Sequence, residues 1–303
     1  MLKYVVKRVL LAILTVFIIA AITFFAMNAI PGGPFSGEKA KDPAVEAMLM
    51  QRFHLDKPVP EQFAIYLNNL LHGDFGISLK TGREITTIIS ESFAVSAKLG
   101  GTAALLALAL GLVLGSVAAL CRGRWPDRVI IFITTLFVSV PSFILATILL
   151  LVFCLQLKWV GVWDPSSPNY VLPVIALALY PMAYITRLTK SSMLDVLGQD
   201  YIRTARAKGV REWLVIFKHA LRNALIPVIT YVGPMTAYIL TGSMVVETVF
   251  TVGGLGTKFV SSINNQDYPM IMAVTIFLAV LMVVATLLSD LIYKVVDPRI
   301  KFD

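Results

Sequence analysis

The stretch DYIRTARAKGV, from Asp200 to Val210, and the stretch HALRNALIP, from His219 to Pro227, form the centre of a basic loop. The loop lies between two long apolar runs, and its residues 187–223 include eight Lys or Arg against three Asp or Glu. Because Gly209 separates two segments with helical spacing of apolar residues, the pattern predicts a helix–glycine–helix hairpin. A hairpin of this kind at a membrane surface is suited to binding a soluble partner, so this loop is the strongest indication of function.

The composition identifies an integral membrane protein. The chain has 303 residues, of which 57% are hydrophobic and only 15% are charged. A helix needs about 20 apolar residues to cross the hydrocarbon core of a bilayer. Six runs meet this requirement and predict an all-α protein with six transmembrane helices. The runs are Val9–Ile30, Ala94–Leu120, Val129–Leu155, Val171–Ile185, Leu225–Val249 and Met270–Val296.

The distribution of basic residues predicts the orientation. The segments before the first run, between the second and third, between the fourth and fifth, and after the sixth are rich in Lys and Arg. The segments 156–170 and 250–269 each carry one basic residue. By the positive-inside rule, both termini and the basic loop are expected in the cytoplasm. The net charge of +8 follows from this asymmetry, so no nucleic-acid partner is needed to explain it.

The segment 31–93, between the first two runs, is expected outside as a small helical insert. It is nearly balanced, with six basic and eight acidic residues. Asp42-Pro43 and Val59-Pro60 are typical helix starts. A third short helix is expected from about Glu84 to Phe93. The predicted organisation is therefore an N-terminal helix over residues 1–30, this insert, and a core with five helices over residues 94–303.

The hairpin can be predicted in more detail. Asp200 is placed to cap a helix over Tyr201–Lys208, and Gly209 is expected to end that helix in a left-handed conformation. The second helix, from Arg211, repeats apolar residues at helical spacing. Trp213, Phe217 and Leu221 are therefore expected to pack against the membrane-embedded helices, which leaves the arginine-rich face for water or a partner.

No catalytic or metal-binding constellation is evident. The three histidines, His54, His72 and His219, are divided between the two sides of the membrane. The two cysteines, Cys121 and Cys154, are expected near opposite faces and out of reach of one another. The run GGLGTK, from Gly253 to Lys258, lacks the spacing of a phosphate-binding loop and the strand that precedes one. A membrane enzyme is therefore the least favoured class, because the nucleophile and the metal ligands that it would need are missing. If this protein uses ATP, another chain is expected to hydrolyse it.

Gly242–Gly256 suggests a second site, at the outer end of the fifth run. Glu247 is expected where that helix meets the outer surface, and Gly253, Gly254 and Gly256 permit a tight, irregular turn lining a cavity. We therefore consider an outer gate built from these four residues. The alternative is a helix-end carboxylate exposed at the surface.

The motifs together resemble the membrane subunits of binding-protein-dependent ABC importers, in the peptide and nickel branch. RTARAKG, from Arg203 to Gly209, resembles the EAA-type loop of that superfamily, with Arg203 at the glutamate position and Thr204 at the first alanine. The Leu-Pro pair that often follows is absent, because Leu221 precedes Arg222 and the proline comes only at Pro227.

Four further segments extend the resemblance over most of the chain. They match the pattern of oligopeptide and dipeptide permeases, and PGGPF favours the first oligopeptide-type subunit. The segments are Pro31–Phe35, His54–Leu79, Gly242–Gly256 and VVDPRI at Val295–Ile300. The resemblance implies the MetI-like permease fold of type I ABC importers.

The resemblance also implies partners. In this family the cytoplasmic loop, here 187–224, docks on ATP-hydrolysing subunits, and a soluble protein delivers the peptide from outside. The expected partners in the bacterial inner membrane are a second, similar permease, two ATP-binding subunits, an extracytoplasmic peptide-binding protein and lipid. ATP and Mg²⁺ are expected on the ATPase subunits, with no cofactor in this chain. The residues carried over as the coupling segment are Arg203, Thr204, Ala205, Arg206, Ala207, Lys208 and Gly209.

The resemblance implies import of oligopeptides, with dipeptides, nickel or another small solute as alternatives. An ion-coupled secondary carrier is the alternative from another class. A carrier of that class would need an acidic residue near mid-depth and often a repeated half, and the sequence shows neither feature.

Overall fold

The computed structural model describes residues 2–29 and 57–296, without the side chains of residues 2–5, 240–242 and 290–296. Within these ranges the regular structure is helical, apart from two isolated bridges, Ile77 with Glu84 and Asp164 with Ser167. The helices are α1 Leu2–Ala29, α2 Val59–Leu71, α3 Ile85–Leu120, α4 Trp125–Ser139, α5 Ser142–Leu149, α6 Val171–Leu197, α7 Asp200–Ala207, α8 Glu212–Leu214, α9 Arg222–Val249, α10 Leu255–Asn264 and α11 Tyr268–Val296. Wider π-helical turns, Leu150–Gln156 and Val215–Leu221, extend α5 and α8.

Four of the described helices contain a stretch long and apolar enough to cross a membrane: Val6–Ala29, Ile85–Leu120, Val171–Leu197 and Tyr268–Ser289. Two further apolar stretches are pairs of helices joined at a bend. One pair is Trp125–Ser139 with Ser142–Gln156, and the other is Glu212–Ile239 with Ser243–Val249. The six predicted runs correspond to these four helices and two bent pairs.

The third run is not the single straight helix that was predicted over Val129–Leu155. Its two halves meet at a bend of 104° between Ser139 and Ser142. Pro141 has no backbone N–H to continue the helix, and its ring disfavours helical geometry at Val140, which is extended with φ −88° and ψ 127°. The apolar length was therefore a poor guide to shape, whereas the proline marks the break.

The fourth run was predicted too short. Helix α6 continues from Val171 to Leu197, beyond the predicted end at Ile185 and through Pro181. The polar residues from Arg187 onward are consequently helical, and the loop expected to begin at Arg187 begins after α6. A helix of 27 residues is about 40 Å long, so its last turns extend past an apolar core of about 30 Å.

The segment predicted as an outer insert is only partly described. Its first predicted helix, at Asp42-Pro43, and the PGGPF segment lie outside the described residues. The second is α2, which packs on α1 through Phe63, whose ring lies 5.2 Å from that of Phe24. The third, expected over Glu84–Phe93 as a separate helix, forms the first turns of α3.

The chain divides into two compact units, Met1–Ala94 with Thr257–Val283, and Val95–Gly256 with Val284–Asp303. In the first unit the buried Asp267 accepts hydrogen bonds from the Ser78 hydroxyl and the Leu79 backbone N–H. In the second unit α3 lies close against α6, because a Cβ on Gly111 would stand 2.7 Å from Ile185 and one on Gly115 would stand 2.6 Å from the Thr186 carbonyl oxygen. Small residues one turn apart allow such close helix packing in membranes.

Candidate functional sites

The predicted hairpin is present, and its glycine has the predicted conformation. Helix α7 is followed by Gly209 with φ +74°. The Gly209 N–H donates to the Arg206 carbonyl at 2.9 Å, and the Val210 N–H donates to the Ala205 carbonyl at 3.2 Å. Asp200 does not cap α7 as expected, because it is the first residue of the helix and Gln199 occupies the cap position without a side-chain bond. We call Asp200–Leu221 the coupling hairpin.

A small core joins the coupling hairpin to the ends of the long helices in the second unit. Ile202, Val215 and Ala220 are fully buried, and Ala205 is 9% exposed. They cluster with Ala119 of α3, Met193 of α6 and Ala224 of α9. A force on the hairpin would therefore be passed to these helices by direct packing.

The predicted apolar face of the second arm was wrong for Trp213 and Phe217, although Leu221 packs against the small core as expected. Trp213 is 56% exposed and Phe217 is 64% exposed, whereas Val215 and Ala220 are buried. The cause is the π-helical geometry of Val215–Leu221, where hydrogen bonds run from residue i to i+5. This geometry brings positions five apart, rather than four apart, onto the buried side.

The exposed side of the coupling hairpin carries charge as well as these two aromatic rings. Arg206 forms a two-pronged ion pair with Glu212 across the turn, with Nη2 2.7 Å from Oε1 and Nε 3.2 Å from Oε2. Its hydrogen bonds to Glu212 raise the pKa of the Arg206 guanidinium. Lys208 and Arg211 are exposed and pair with no acid in the part of the chain that the structure describes. The hairpin thus presents two aromatic rings beside unpaired cations.

The predicted coupling residues therefore differ in position. Arg203, Thr204, Ala207 and Lys208 are exposed, and Arg203 lies 3.5 Å from Asp200. Ala205 faces the hairpin's own core, and Arg206 fastens the turn to Glu212. From the sequence, Trp213 and Phe217 were not predicted to lie on the surface, because regular α-helical spacing was assumed and no pattern in the sequence indicated a π-helical turn.

The second site surrounds Glu247, which is fully buried, so the exposed alternative is wrong. The Ser96 hydroxyl of α3 donates to Glu247 Oε1 at 2.6 Å, and the Gly256 N–H donates to Oε2 at 2.7 Å. The same Ser96 oxygen accepts the Leu255 N–H at 2.8 Å. These hydrogen bonds stabilise the buried carboxylate, because they replace the bonds that water would donate to an exposed one. We call Ser96, Glu247, Leu255 and Gly256 the carboxylate clamp.

The glycines beside Glu247 permit close approach rather than unusual dihedral angles. A Cβ on Gly254 would lie 2.5 Å from Glu247 Cδ, and one on Gly256 would lie 2.4 Å from Met244 Cα. Gly253 is less crowded, because its Cβ would lie 3.1 Å from the end of the Trp163 ring. The four predicted gate residues are thus brought together, and Ser96 is the member that the sequence did not reveal.

The two sites lie at opposite ends of α9. The coupling hairpin leads directly into Arg222, and Glu247 is in the last turn before Val249. A helix of 28 residues is about 42 Å long, so the sites do not form one constellation but share one helix. Elsewhere, the Cys121 and Cys154 thiols are both free.

Two families match this chain. The family described as binding-protein-dependent transport system inner membrane component matches residues 111–302. The N-terminal part described for membrane components of the same transport systems matches residues 1–100.

Curated relatives match over their full length. The chain is 45% identical to the dipeptide transport system permease protein DppB of Bacillus subtilis, over 99% of this chain and 98% of that protein. It is 42% identical to the oligopeptide transport system permease protein OppB of Salmonella typhimurium, over 100% of both chains.

Solved structures share the fold at low sequence identity. A chain from the crystal structure of an amino acid ABC transporter with histidines has a TM-score of 0.55 and 15% identity, over 69% of this chain and 94% of that one. A chain of the inward-facing MetNI methionine ABC transporter has a TM-score of 0.55 and 16% identity, over 69% and 96%. The predicted all-α, MetI-like permease fold is confirmed by these likenesses.

Proposed function

The chain belongs to the family of binding-protein-dependent transport system inner membrane components, and on that premise we propose that it is the permease subunit of an ATP-driven importer of oligopeptides. It is a multi-pass inner-membrane protein. We further propose six membrane crossings, with each bent helix pair counted as one, both termini in the cytoplasm and the segment after α1 outside.

The coupling hairpin carries this proposal. Its exposed side offers Trp213 and Phe217 beside Arg211, and aromatic residues and arginine are enriched where proteins bind each other. The buried side of the hairpin packs against α3, α6 and α9. An ATPase subunit that grips the hairpin and moves would therefore move three long helices of this chain.

The remaining partners follow from the same proposal. A second, similar permease completes the translocation path, two ATP-binding subunits hold ATP and Mg²⁺, and an extracytoplasmic binding protein delivers the solute. In this proposal the ATP-binding subunits supply the cofactor site and the catalytic groups, and this chain is a non-catalytic membrane subunit. The full-length likeness to peptide permeases and the ABC transporter folds of both solved neighbours support this arrangement.

The proposed substrate class is the peptide. Relatives at 45% and 42% identity are named for dipeptide and oligopeptide transport, so dipeptides are the first alternative to oligopeptides. Nickel or another small solute remains a further alternative within the family.

We also propose that the carboxylate clamp is part of the outer gate. It fixes the turn after α9 to α3 through two buried side chains, Glu247 and Ser96, so the end of α9, the turn and the adjoining part of α3 are expected to move together. Glu247, Gly253, Gly254 and Gly256 keep the role predicted for them, and Ser96 joins them.

Replacing Gly209 tests the coupling role. Gly209→Asp places a side chain and a negative charge at the exposed turn, where a Cβ meets no other atom within 4 Å. We expect the protein to insert in the membrane at normal levels, but to lose co-purification with its ATPase subunits and to lose peptide uptake.

Gly73→Asp is the matched control. Gly73 follows α2 with φ +74°, equally open surroundings and an N–H that donates to the carbonyl three residues before it, as in Gly209, but it lies outside the hairpin. It is expected to retain both binding and uptake. Normal uptake by a well-expressed Gly209→Asp protein would contradict the proposal.

A further inference from the structure

Four tyrosines form two ring pairs between α6 and α9, one tilted and one stacked. The Tyr180 and Tyr238 rings lie 4.9 Å apart at 32°, and the Tyr184 and Tyr231 rings lie 4.2 Å apart at 29°. Tyr180 and Tyr184 are one turn apart on α6, so the pairs form successive layers along two adjacent helices. We call these four residues the tyrosine stripe.

The tyrosine stripe lies near the middle of the membrane in the proposed topology. Tyr180 and Tyr184 are 9 and 13 residues beyond the start of α6 at Val171, or about 14 and 20 Å along its axis. An apolar core of about 30 Å places both near mid-depth. Tyrosines in membrane proteins are usually enriched at the two interfaces instead.

The hydroxyl groups of the stripe differ in their partners within the described residues. Tyr238 shares a hydrogen bond with Ser142. Tyr180, Tyr184 and Tyr231 form no side-chain hydrogen bond with any residue in the described ranges, and none of the three is buried. Tyr184 is 41% exposed.

This surface is unsuited to lipid. A hydroxyl group facing hydrocarbon without a partner is costly, because nothing in the bilayer core replaces water. Other exposed aromatic side chains in the apolar runs of the same unit carry no polar group, such as Phe132, which is 71% exposed, and Phe143, which is 53% exposed. The contrast indicates that the tyrosine stripe contacts something polar.

A cation continues the same face of α6. Arg187 follows Tyr184 by three residues and Tyr180 by seven, which puts the three on one side of the helix. Its guanidinium donates to the Thr135 hydroxyl, and it forms no ion pair with a residue that the structure describes. An exposed arginine at the inner end of an apolar span attracts anionic groups, such as a carboxylate.

We propose that the tyrosine stripe and Arg187 form the wall of the translocation path in this chain and bind an extended peptide by its backbone and its carboxylate. Residues four apart on a helix are separated by about 6 Å along its axis, and alternate residues of an extended peptide are separated by about 6.6 Å. The spacing of Tyr180 and Tyr184 on α6 therefore matches alternate peptide residues, whereas their partners Tyr238 and Tyr231 lie about 10 Å apart along α9. Hydroxyl groups bond to backbone groups that every peptide has, while the ring faces tolerate varied side chains.

The inference rests on the proposed peptide transport, and it adds the residues and the mode of contact. Water accessibility tests it first. In the complete transporter, reconstituted in proteoliposomes, Cys121 and Cys154 are replaced by serine and alanine, and Tyr184→Cys is compared with Phe132→Cys. Both positions are exposed aromatic residues in the same unit.

We expect a small charged methanethiosulfonate reagent to label Tyr184→Cys at least about ten times faster than Phe132→Cys, because bulk lipid excludes the reagent. Trialanine, delivered with the binding protein and ATP, is expected to slow that labelling. Equal labelling rates in a transporter that imports trialanine would overturn the inference and leave the proposed function intact. A transporter that imports no peptide would overturn the proposed function itself, whatever the labelling shows.

Hydroxyl removal is the second test, with conservative variants that keep the rings. Tyr184→Phe and Tyr231→Phe are each expected to raise the peptide KM about two- to ten-fold, the usual range for one hydrogen bond. The rise should be similar for trialanine, triserine and trivaline, with ATP hydrolysis unchanged. An unchanged KM, or weaker association with the second permease instead, would overturn the inference and assign the stripe to a subunit interface.

Discussion

The two ends of α9 hold their neighbours by opposite means. Before the first residue of α9, the coupling hairpin displays its charges on the surface, and both partners of its ion pair, Arg206 and Glu212, are about half exposed. At the last turn of α9, the carboxylate clamp buries one acid completely, and the Ser96 hydroxyl and the Gly256 N–H donate to it. Exposed pairs contribute little to stability, whereas a buried polar group is costly once its partners are lost.

The difference teaches where each region can change. The coupling hairpin depends on small buried residues for its shape, so its surface charges and rings are available for a partner. In the clamp the same residues cannot serve a partner, because Glu247, Ser96 and the glycine turn are all needed to form its hydrogen bonds. We therefore expect substitutions in the clamp to affect folding, and substitutions on the hairpin surface to affect association.

The largest effect is expected for Glu247→Ala. It leaves the Gly256 N–H and the Ser96 hydroxyl buried without their acceptor, at a cost of about 1–3 kcal/mol for each orphaned group. The thermal unfolding midpoint of the purified protein should fall clearly. The midpoint of Glu247→Gln should lie between those of the wild-type and Glu247→Ala proteins, because the amide has one acceptor oxygen and the carboxylate has two.

Glu212→Ala is the control for this comparison, since Glu212 is an exposed acid in the coupling hairpin, which precedes α9. It should leave the midpoint almost unchanged. Equal midpoints for the wild-type and Glu247→Ala proteins would show that the clamp contributes nothing to stability, and the contrast between the two ends would fail.

The clamp also shows why the sequence predicted some features and missed others. Gly209 was predictable, because a glycine between two helical patterns is a local signal for a left-handed turn. The burial of Glu247 was not predictable, because its partner Ser96 is 151 residues away and only the fold brings them together. Gly254 and Gly256 are glycines because other atoms pack closely against their Cα atoms, and not because their backbone needs a positive φ. The sequence alone does not distinguish these two reasons.

The long helices show the same limit. Hydropathy located every apolar run, since the cost of crossing a membrane depends mainly on composition. Their shapes depended on single residues, such as Pro141 at the 104° bend, and on wide turns that shift the buried face in Val215–Leu221. No repeating pattern of apolar residues in the sequence predicts such π-helical turns.

A smaller effect on stability, with a larger one on association, is expected for Trp213→Ala. The ring is 56% exposed, so its removal should change the unfolding midpoint little. Exposed tryptophans at interfaces often contribute 1–2 kcal/mol or more, so affinity for the ATPase subunit should fall about ten-fold or more. Binding of the detergent-solubilised chain to the purified ATPase measures this affinity.

Trp125→Ala is the matched control for that measurement. Trp125 is 75% exposed at the start of α4, on the same side of the membrane in the proposed topology but outside the coupling hairpin. It should retain wild-type affinity. Equal losses for the two variants would indicate a general effect of removing exposed rings and would contradict a specific docking surface.

The smallest effect is expected for Arg206→Ala, which removes the ion pair across the hairpin turn. Arg206 and Glu212 are 44% and 55% exposed, and pairs of this kind contribute about 0.2–1 kcal/mol. The unfolding midpoint should therefore move by no more than the experimental scatter at physiological salt.

The ion pair also holds the turn beside Gly209, so the affinity of Arg206→Ala for the ATPase should fall modestly. Arg206→Lys should recover only part of that affinity, because lysine lacks the planar guanidinium that contacts both carboxylate oxygens. Raising the salt concentration should reduce the difference between Arg206→Ala and the wild-type protein, because exposed charges are screened. A large loss of stability in Arg206→Ala would instead place the rigidity of the hairpin in its surface charges rather than in Ile202, Val215 and Ala220.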